Sequence, residues 1–405
     1  MSNGRPTLLI LGTRGIPANH GGFETFAEKL ALFLADRWNV KVYCQHDVER
    51  VEERVRSEIW NGIELIHVQV ASTGPRATLE FDLHCVLDSA RREGVCLVLG
   101  YNSAVFLPIL RLFRRPILTN MDGIEWRRPK WSPAVRAWFW VNEWIAAWTS
   151  HRLVADHPVI ADHLATRRPR RAIVTIPYGG NPVTSASDAP LRGLGLEPGR
   201  YMVSIARIEP DNNILTLVKA FSRRPRNAKL VVLGTLDDSI AYHREVRAAA
   251  SDEVIFPGAI YDPATVEALR FHARAYLHGH TVGGTNPSLV EALWAGSPVI
   301  AHDNPFNRIV AGDTQAYFTS VEDCERRIAQ YLADDEVVRR AREGARRQAT
   351  HYAWEDILSH YEDELRALGG YGHRAGSAGR PEGIAPEGAK SESRNSEGMA
   401  ARTVG

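Results

Sequence analysis

The feature that most constrains this chain is a repeated alternation. Short apolar runs rich in β-branched residues, "TLLILG", "NVKVYCQ", "IELIHVQV", "VCLVLG", "RPILTN" and "RLVAD", are separated by stretches whose apolar residues have helical spacing. Parallel neighbours need a long crossover, usually a helix, so strands that alternate with helices predict a parallel sheet covered on both faces. The pattern starts again after residue 200 with "YMVSIAR", "AKLVVLG", "EVIFPG", "RAYLHG", "SPVIAH" and "AYFTS". Two α/β domains of the Rossmann-like, doubly wound kind are therefore predicted, over 1–180 and 200–351, facing each other across a cleft. A length of 405 residues agrees, since one hydrophobic core rarely organises more than about 250 to 300. Residues 181–199, "NPVTSASDAPLRGLGLEPG", are rich in Gly, Pro and Ser and read as the linker. A last helical pattern over 352–368 is expected to cross back to the first domain. The remainder, 369–405, is poor in apolar residues and is expected to be disordered.

Composition narrows the function classes. The 49 Lys+Arg against 48 Asp+Glu leave a formal charge of +1, which lacks the global basic field of a nucleic-acid binder. Any anion site must be local. Cys44, Cys85, Cys96 and Cys324 stand far apart with no CxxC pair, which points to reduced thiols in a cytoplasmic protein and away from zinc. The N-terminal apolar stretch is too short for a signal peptide, and no segment reaches about 18 uninterrupted apolar residues, so no bilayer crossing is expected.

Ligands of open α/β sheets bind beyond the carboxyl ends of the strands. There the first domain offers "LGTRGIPANHGGFETFAEKL". Gly12, Gly15, Gly21 and Gly22 let backbone N–H groups approach an anion, and a helix starting near Gly22 aims its positive end at the same place. Neither GxGxxG nor GK[ST] is present, and Gln45 stands where a ribose-binding acid would be, so a nicotinamide enzyme and a P-loop are both disfavoured. The second domain offers "HGHTVGGTNPSLVEALWAGSPVIAHD". Asn286 is a good N-cap and Pro287 suits the first helical position, while Gly283 and Gly284 leave the helix N-terminus open to a phosphate. Glu291 lies one turn further on the same face, where a carboxylate suits the vicinal hydroxyls of a ribose. Arg207, at the end of "YMVSIAR", supplies a guanidinium for a diphosphate, and His280 suits a sugar hydroxyl. Asp122 and Asp156 end two strands of the first domain at the same edge. No Asp-x-Asp pair occurs, so leaving-group charge falls to Arg207 and the helix dipole, with no metal and no cofactor expected.

These residues together resemble the retaining glycosyltransferases of family four, which have the GT-B fold. "GTRGIPANHGGFETFAEKL", "NMDGIEWRRPKW" and "HGHTVGGTNPSLVEALWAGSPVIA" resemble the rhamnosyltransferase-type subgroup of bacterial polysaccharide assembly, and the likeness runs to about residue 368. The resemblance implies transfer of L-rhamnose from dTDP-rhamnose to a polyprenyl-diphosphate-linked saccharide. Catalytic roles then fall to Asp122 and Asp156, donor binding to Gly21, Gly22, Arg207, His280, Gly283, Gly284, Asn286 and Glu291, and the acceptor side to Glu24 and Glu125. Two positions depart from the wider family. Gly283 stands where the first of two glutamates eight apart is usual, and Asn212 stands where a lysine usually follows the arginine. Two other readings stay open, a nucleotide-sugar 2-epimerase of the same fold and a catalytically silent nucleotide-sugar-binding protein.

Six of the 10 tryptophans, Trp126, Trp131, Trp138, Trp140, Trp144 and Trp148, crowd into one stretch with Arg127, Arg128, Lys130 and Arg136. Aromatics beside basic residues on a helix are an interfacial signature, which suggests a peripheral place on an anionic membrane, at the inner face of the plasma membrane. A helix packed in the core competes with that reading. Trp138 and Trp140 point to nearly opposite faces, so one of them is expected inside.

Overall fold

A computed structural model describes residues 4–18, 21–128 and 130–372. The first sheet has β1 (Thr7–Leu11), β2 (Asn39–Asp47), β3 (Val55–Trp60), β4 (Ile63–Val70), β5 (Val95–Leu99), β6 (Ile117–Asn120), β7 (Arg152–Ala155) and β8 (Ile173–Thr175). Their spatial order is β3-β4-β2-β1-β5-β6-β7-β8. The second sheet has β9 (Tyr201–Ile205), β10 (Lys229–Leu233), β11 (Val254–Gly258), β12 (Ala275–His278), β13 (Val299–His302) and β14 (Ala316–Phe318), in the order β11-β10-β9-β12-β13-β14. Central strands such as β5 are buried along their whole length, as continuous apolar runs covered on both faces must be. Each sheet has apolar cores on its two sides. The order reverses beside β1 and beside β9, so the loops after these strands open at the switch points where ligands of such sheets bind.

Three sequence expectations change. The first sheet is not wholly parallel, because β3 pairs antiparallel with β4. Their turn is Asn61–Gly62, both with positive φ (49° and 78°), the two-residue hairpin turn that Asn-Gly favours. The linker is shorter than 181–199, since Ala189–Gly193 is helical and Leu191 and Leu196 are buried in the second domain's core. The helix placed at 352–368 spans Trp354–Gly369, and Tyr371 beyond it packs edge-on against Trp38 with ring centroids 5.6 Å apart. The expected disordered tail therefore starts no earlier than residue 373, and from there on it lies outside the described residues.

The Trp354–Gly369 helix belongs to the first domain's core. Trp354, Ile357, Leu358, Tyr361 and Leu365 pack with Leu8, Ile10 and Phe26. Its Glu362 is buried beneath Arg37 (2.9 Å), the Trp38 indole (3.1 Å) and Arg366 (2.8 Å). Burial alone would raise this carboxyl, but the three donors outweigh it and hold it at about 2. The chain thus passes between the domains twice. The two passages lie side by side, with Gly180 bridged to Ala353 and the Gly180 amide donating to the Tyr352 carbonyl at 2.8 Å.

Candidate active site

The loop between β12 and the Pro287–Trp294 helix carries His280, Gly283, Gly284 and Asn286, and Glu291 follows within the helix. Asn286 caps that helix, its side chain accepting from the Ser288 amide at 3.0 Å, and Pro287 follows at the first helical position. No acid stands in the first turn, so the positive end of the helix is not neutralised from within. Around Gly283 the space that a side chain would take is empty. Glu291 is held by Arg270 at 2.6 Å and keeps 40% of its side chain exposed. Arg270, itself buried, also donates to the Ser288 hydroxyl at 3.3 Å, and that hydroxyl meets Tyr276 at 2.6 Å. Arg270 ends the helix Pro263–Phe271 and looks like an ordinary last-turn cation in the sequence. Only the tertiary fold brings it under Glu291.

Arg207 lies two residues beyond β9, 72% exposed, in an ion pair with Glu209 at 3.2 Å. Asn212, in the place of the family's lysine, is buried and donates to the Arg207 carbonyl at 2.7 Å. That position therefore fixes the arginine's turn and contributes no charge. His280 stacks on His278, ring centroids 4.2 Å apart. Burial, with Arg128 and Arg207 nearby, pushes its imidazole down to about 3, so it is neutral at physiological pH. Its Nδ1 has no partner among the described residues, which leaves it available to a hydroxyl.

The first domain brings acids to this loop. The Thr285 amide donates to the Asp156 carboxyl at 3.0 Å, and the Thr285 hydroxyl donates to the Asp156 carbonyl. Any side chain at Gly284 would collide with that carboxyl, so glycine is what lets the two domains approach here. Burial, and Asp122 close by, raise the Asp156 carboxyl to about 8. Asp122 sits in the left-handed region (φ 53°), its amide bonded to the Asn120 side chain at 2.9 Å. Burial raises its carboxyl as well. Glu125 is buried against Arg128 (2.8 Å) and the Trp131 indole (3.3 Å), and burial together with Asp122 raises it. The fold thus gathers Asp122, Glu125, Asp156, Arg128, Arg207 and His280 at one end of the cleft.

The first glycine loop carries carboxylates of its own helix. Helix α1 (Gly22–Leu34) begins as expected, but its own Glu24 and Glu28 accept from the Arg14 amide (3.2 Å) and the Ala18 amide (2.5 Å). The Arg14 and Ala18 amides of the loop thus already have carboxylate partners, and the Glu24 carboxylate lies where a Cβ on Gly21 would be. A diphosphate there would face like charge. Gly22 instead forms a wall, placed so that a Cβ on it would lie 3.5 Å from Pro287. Beneath the loop lies a cavity of about 270 Å³ whose polar lining includes Thr13, Arg14, Glu24, Asp82 and Ser103. Burial pushes Asp82 up to about 6. Asp82 sits mid-helix in Pro75–Arg91 with no motif around it, and nothing in the sequence marks it.

Known proteins agree with this architecture. Residues 5–181 match the model of a domain of unknown function, DUF1972, and residues 193–348 match the family described as glycosyl transferases group 1. No curated protein matches the chain. Among solved structures, sucrose-phosphate synthase from Thermosynechococcus elongatus is 19% identical with a TM-score of 0.73, over 90% of this chain and 99% of that one. The Anabaena protein HepE, in complex with UDP and glucose, is 15% identical with a TM-score of 0.71, over 90% and 100%. A UDP-forming α,α-trehalose-phosphate synthase from Burkholderia vietnamiensis is 11% identical with a TM-score of 0.72, over 90% and 99%. The chain is an enzyme of GT-B fold, a glycosyltransferase whose C-terminal half is a group 1 domain.

Proposed function

We propose that the enzyme transfers L-rhamnose from dTDP-rhamnose to a hydroxyl of a polyprenyl-diphosphate-linked saccharide, with retention, at the cytoplasmic face of a membrane. The observation that carries the donor half is the convergence on one loop of an acid-free helix N-terminus, the Gly283–Gly284 pair, Arg207 and an exposed Glu291 held by Arg270. A helix N-terminus and a guanidinium take the diphosphate, and Glu291 takes the ribose hydroxyls. Relatives of the same fold are described with UDP, or as forming it, and the base of dTDP is a pyrimidine too. The choice of rhamnose and of the lipid-linked acceptor rests on the sequence resemblance.

In this scheme Arg207 and the helix dipole stabilise the departing diphosphate. The leaving oxygen takes the acceptor proton on the face it departs from, which accounts for retention without a protein nucleophile. Asp156, neutral at pH 7, donates a hydrogen bond instead of serving as base, and a neutral acid can lie beside a diphosphate without repelling it. Asp122 and His280 hold sugar hydroxyls, and Glu24 and Glu125 line the acceptor side. Incubation with labelled dTDP-rhamnose, UDP-glucose and UDP-N-acetylglucosamine, together with lipid-linked N-acetylglucosamine, tests the proposal. Label in a glycolipid from dTDP-rhamnose alone is the expected result. An epimerised donor, or binding without turnover, would replace this reading with one of its two rivals.

A further inference from the structure

Helix α2 (Pro75–Arg91) is followed in the first domain by α3 (Leu107–Leu112) and α4 (Pro133–Thr149), and α3 and α4 lie side by side on the surface. The Trp138 indole donates to the Asn102 carbonyl at 2.9 Å, the Val105 amide donates to the Asn142 side chain at 2.8 Å, and Arg111 meets His151 beyond the end of α4. Eleven large hydrophobic side chains are exposed among the described residues, and six of them, Leu112, Phe113, Trp138, Trp140, Val141 and Trp148, belong to this pair of helices. The core side of α4 is Phe139, Asn142, Glu143, Ala146 and Ala147. At about 100° per residue those five cover a narrow arc, and Trp138 and Trp140 fall on its two rims. Both are exposed as a result, at 39% and 45%, which corrects the expectation that one of them is core. Trp148, at 60%, lies between them on the open side.

The charge around this face has one sign. Residues 102–121 and 126–142 contain no Asp or Glu, whereas they hold Arg111, Arg114, Arg115, Arg127, Arg128, Lys130 and Arg136. Arg128 and Lys130 are spent on Glu125 and Glu209 at the cleft. The other five enter no ion pair among the described residues. Glu143, the first acid of α4, is buried under His163, Arg167 and the Trp126 indole. We infer that the α3–α4 face docks on an anionic lipid bilayer, its tryptophans at the headgroups and Arg111, Arg114 and Arg136 against lipid phosphates. No helix among the described residues is long and apolar enough to cross a membrane, so the face lies on the bilayer surface. A second copy of the chain fits poorly, because a two-fold contact would set these arginines against themselves.

The face also leads to the cleft. The turn Glu125–Arg127 joins β6 to α4, and Trp131, just before α4, donates to Glu125 beside Asp122. An acceptor carried by a lipid would reach the acids along this route. That use rests on the function proposed above, whereas the docking itself is tested without turnover. The full chain is sedimented at low salt with phosphatidylcholine vesicles with and without phosphatidylglycerol. The expected result is binding only to the anionic vesicles, reversed by high salt. Arg111→Gln, Arg114→Gln and Arg136→Gln should each weaken it roughly fivefold. Trp148→Ser should weaken it too, with nucleotide affinity and melting temperature unchanged in all four. Equal binding to both vesicle types, no binding by the unaltered chain, or a Trp148-dependent dimer in light scattering would each overturn the inference. Vesicle binding without transfer to any lipid-linked acceptor would keep the docking face and remove the acceptor reading.

Discussion

Two glycine loops, each followed by a helix, look alike in the sequence, one after β1 and one after β12, the neighbour of β9. In the first, α1 carries Glu24 in its opening turn, and Glu24 and Glu28 fold back onto the Arg14 and Ala18 amides. In the second, the Pro287–Trp294 helix opens with no acid, and the cations near it are Arg207 and Arg270. Both loops have the backbone freedom for close approach. What separates them is the charge in the first helical turn, because a carboxylate there neutralises the field that would hold a phosphate. Glycines before a helix mark a site for close contact; the neighbouring side chains decide its sign.

Four variants break or sharpen that contrast. The largest effect is expected for Arg207→Ala, which should weaken nucleoside diphosphate binding by about 1.5 to 3 kcal/mol, the worth of a charge-assisted bond. Calorimetric titration measures it, and unchanged affinity in a folded variant would take Arg207 out of the site. Glu291→Gln keeps the bond to Arg270 but loses acceptor capacity for a diol. Affinity should fall by about 1 kcal/mol while the melting temperature without ligand stays close to that of the parent. A loss of stability with normal affinity would make Glu291 a structural partner of Arg270 and nothing more.

Asp156→Asn concerns the acid that faces the second loop. Its carboxyl is raised from about 4 in the unfolded chain to about 8 in the fold. The neutral form is therefore favoured on folding. The stability it contributes is full below the unfolded value and is lost as pH rises toward 8. The variant, which keeps an acceptor for the Thr285 amide, should gain on the parent by roughly one to a few degrees of melting temperature between pH 6 and 9. Parallel pH curves would show that Asp156 ionises freely in the fold. The smallest effect is expected for Glu24→Gln, which should leave nucleotide affinity unchanged or slightly raised. A marked drop would mean that the first loop contacts the donor after all and would erase the contrast.

Periodicity made much of this molecule legible. All six strands of the second domain and the capped start of its Pro287 helix follow from local patterns, because parallel strands and helix caps are written in adjacent residues. β3 was missed although Asn61–Gly62 carries a hairpin signal, since "VRSEIW" is a polar edge strand beside a highly apolar β4. Arg270 beneath Glu291, Thr285 against Asp156 and Asp82 in its cavity were out of reach for another reason. Each is a contact between distant segments, and nothing in the neighbouring residues announces it. The tryptophans of α4 fall between these cases. Their spacing was visible, but the width of the core arc depends on what packs against the helix.

The two passages at Gly180 and Ala353 bear on how such an enzyme can change its specificity by descent. The first domain is built from two separated pieces of chain, and the second is spliced into it as a single insert whose ends lie against each other. Genetic exchange with breakpoints near both Gly180 and Ala353 would deliver a new second domain and leave its host intact. Exchange at the first point alone would pair the host with a foreign closing helix. Phe26 and Trp38 would then meet the wrong partners, and Arg37 would lose Glu362. Replacement of the second domain in this fold is therefore expected to proceed as a cassette, with the closing helix tracking the lineage of the amino-terminal half.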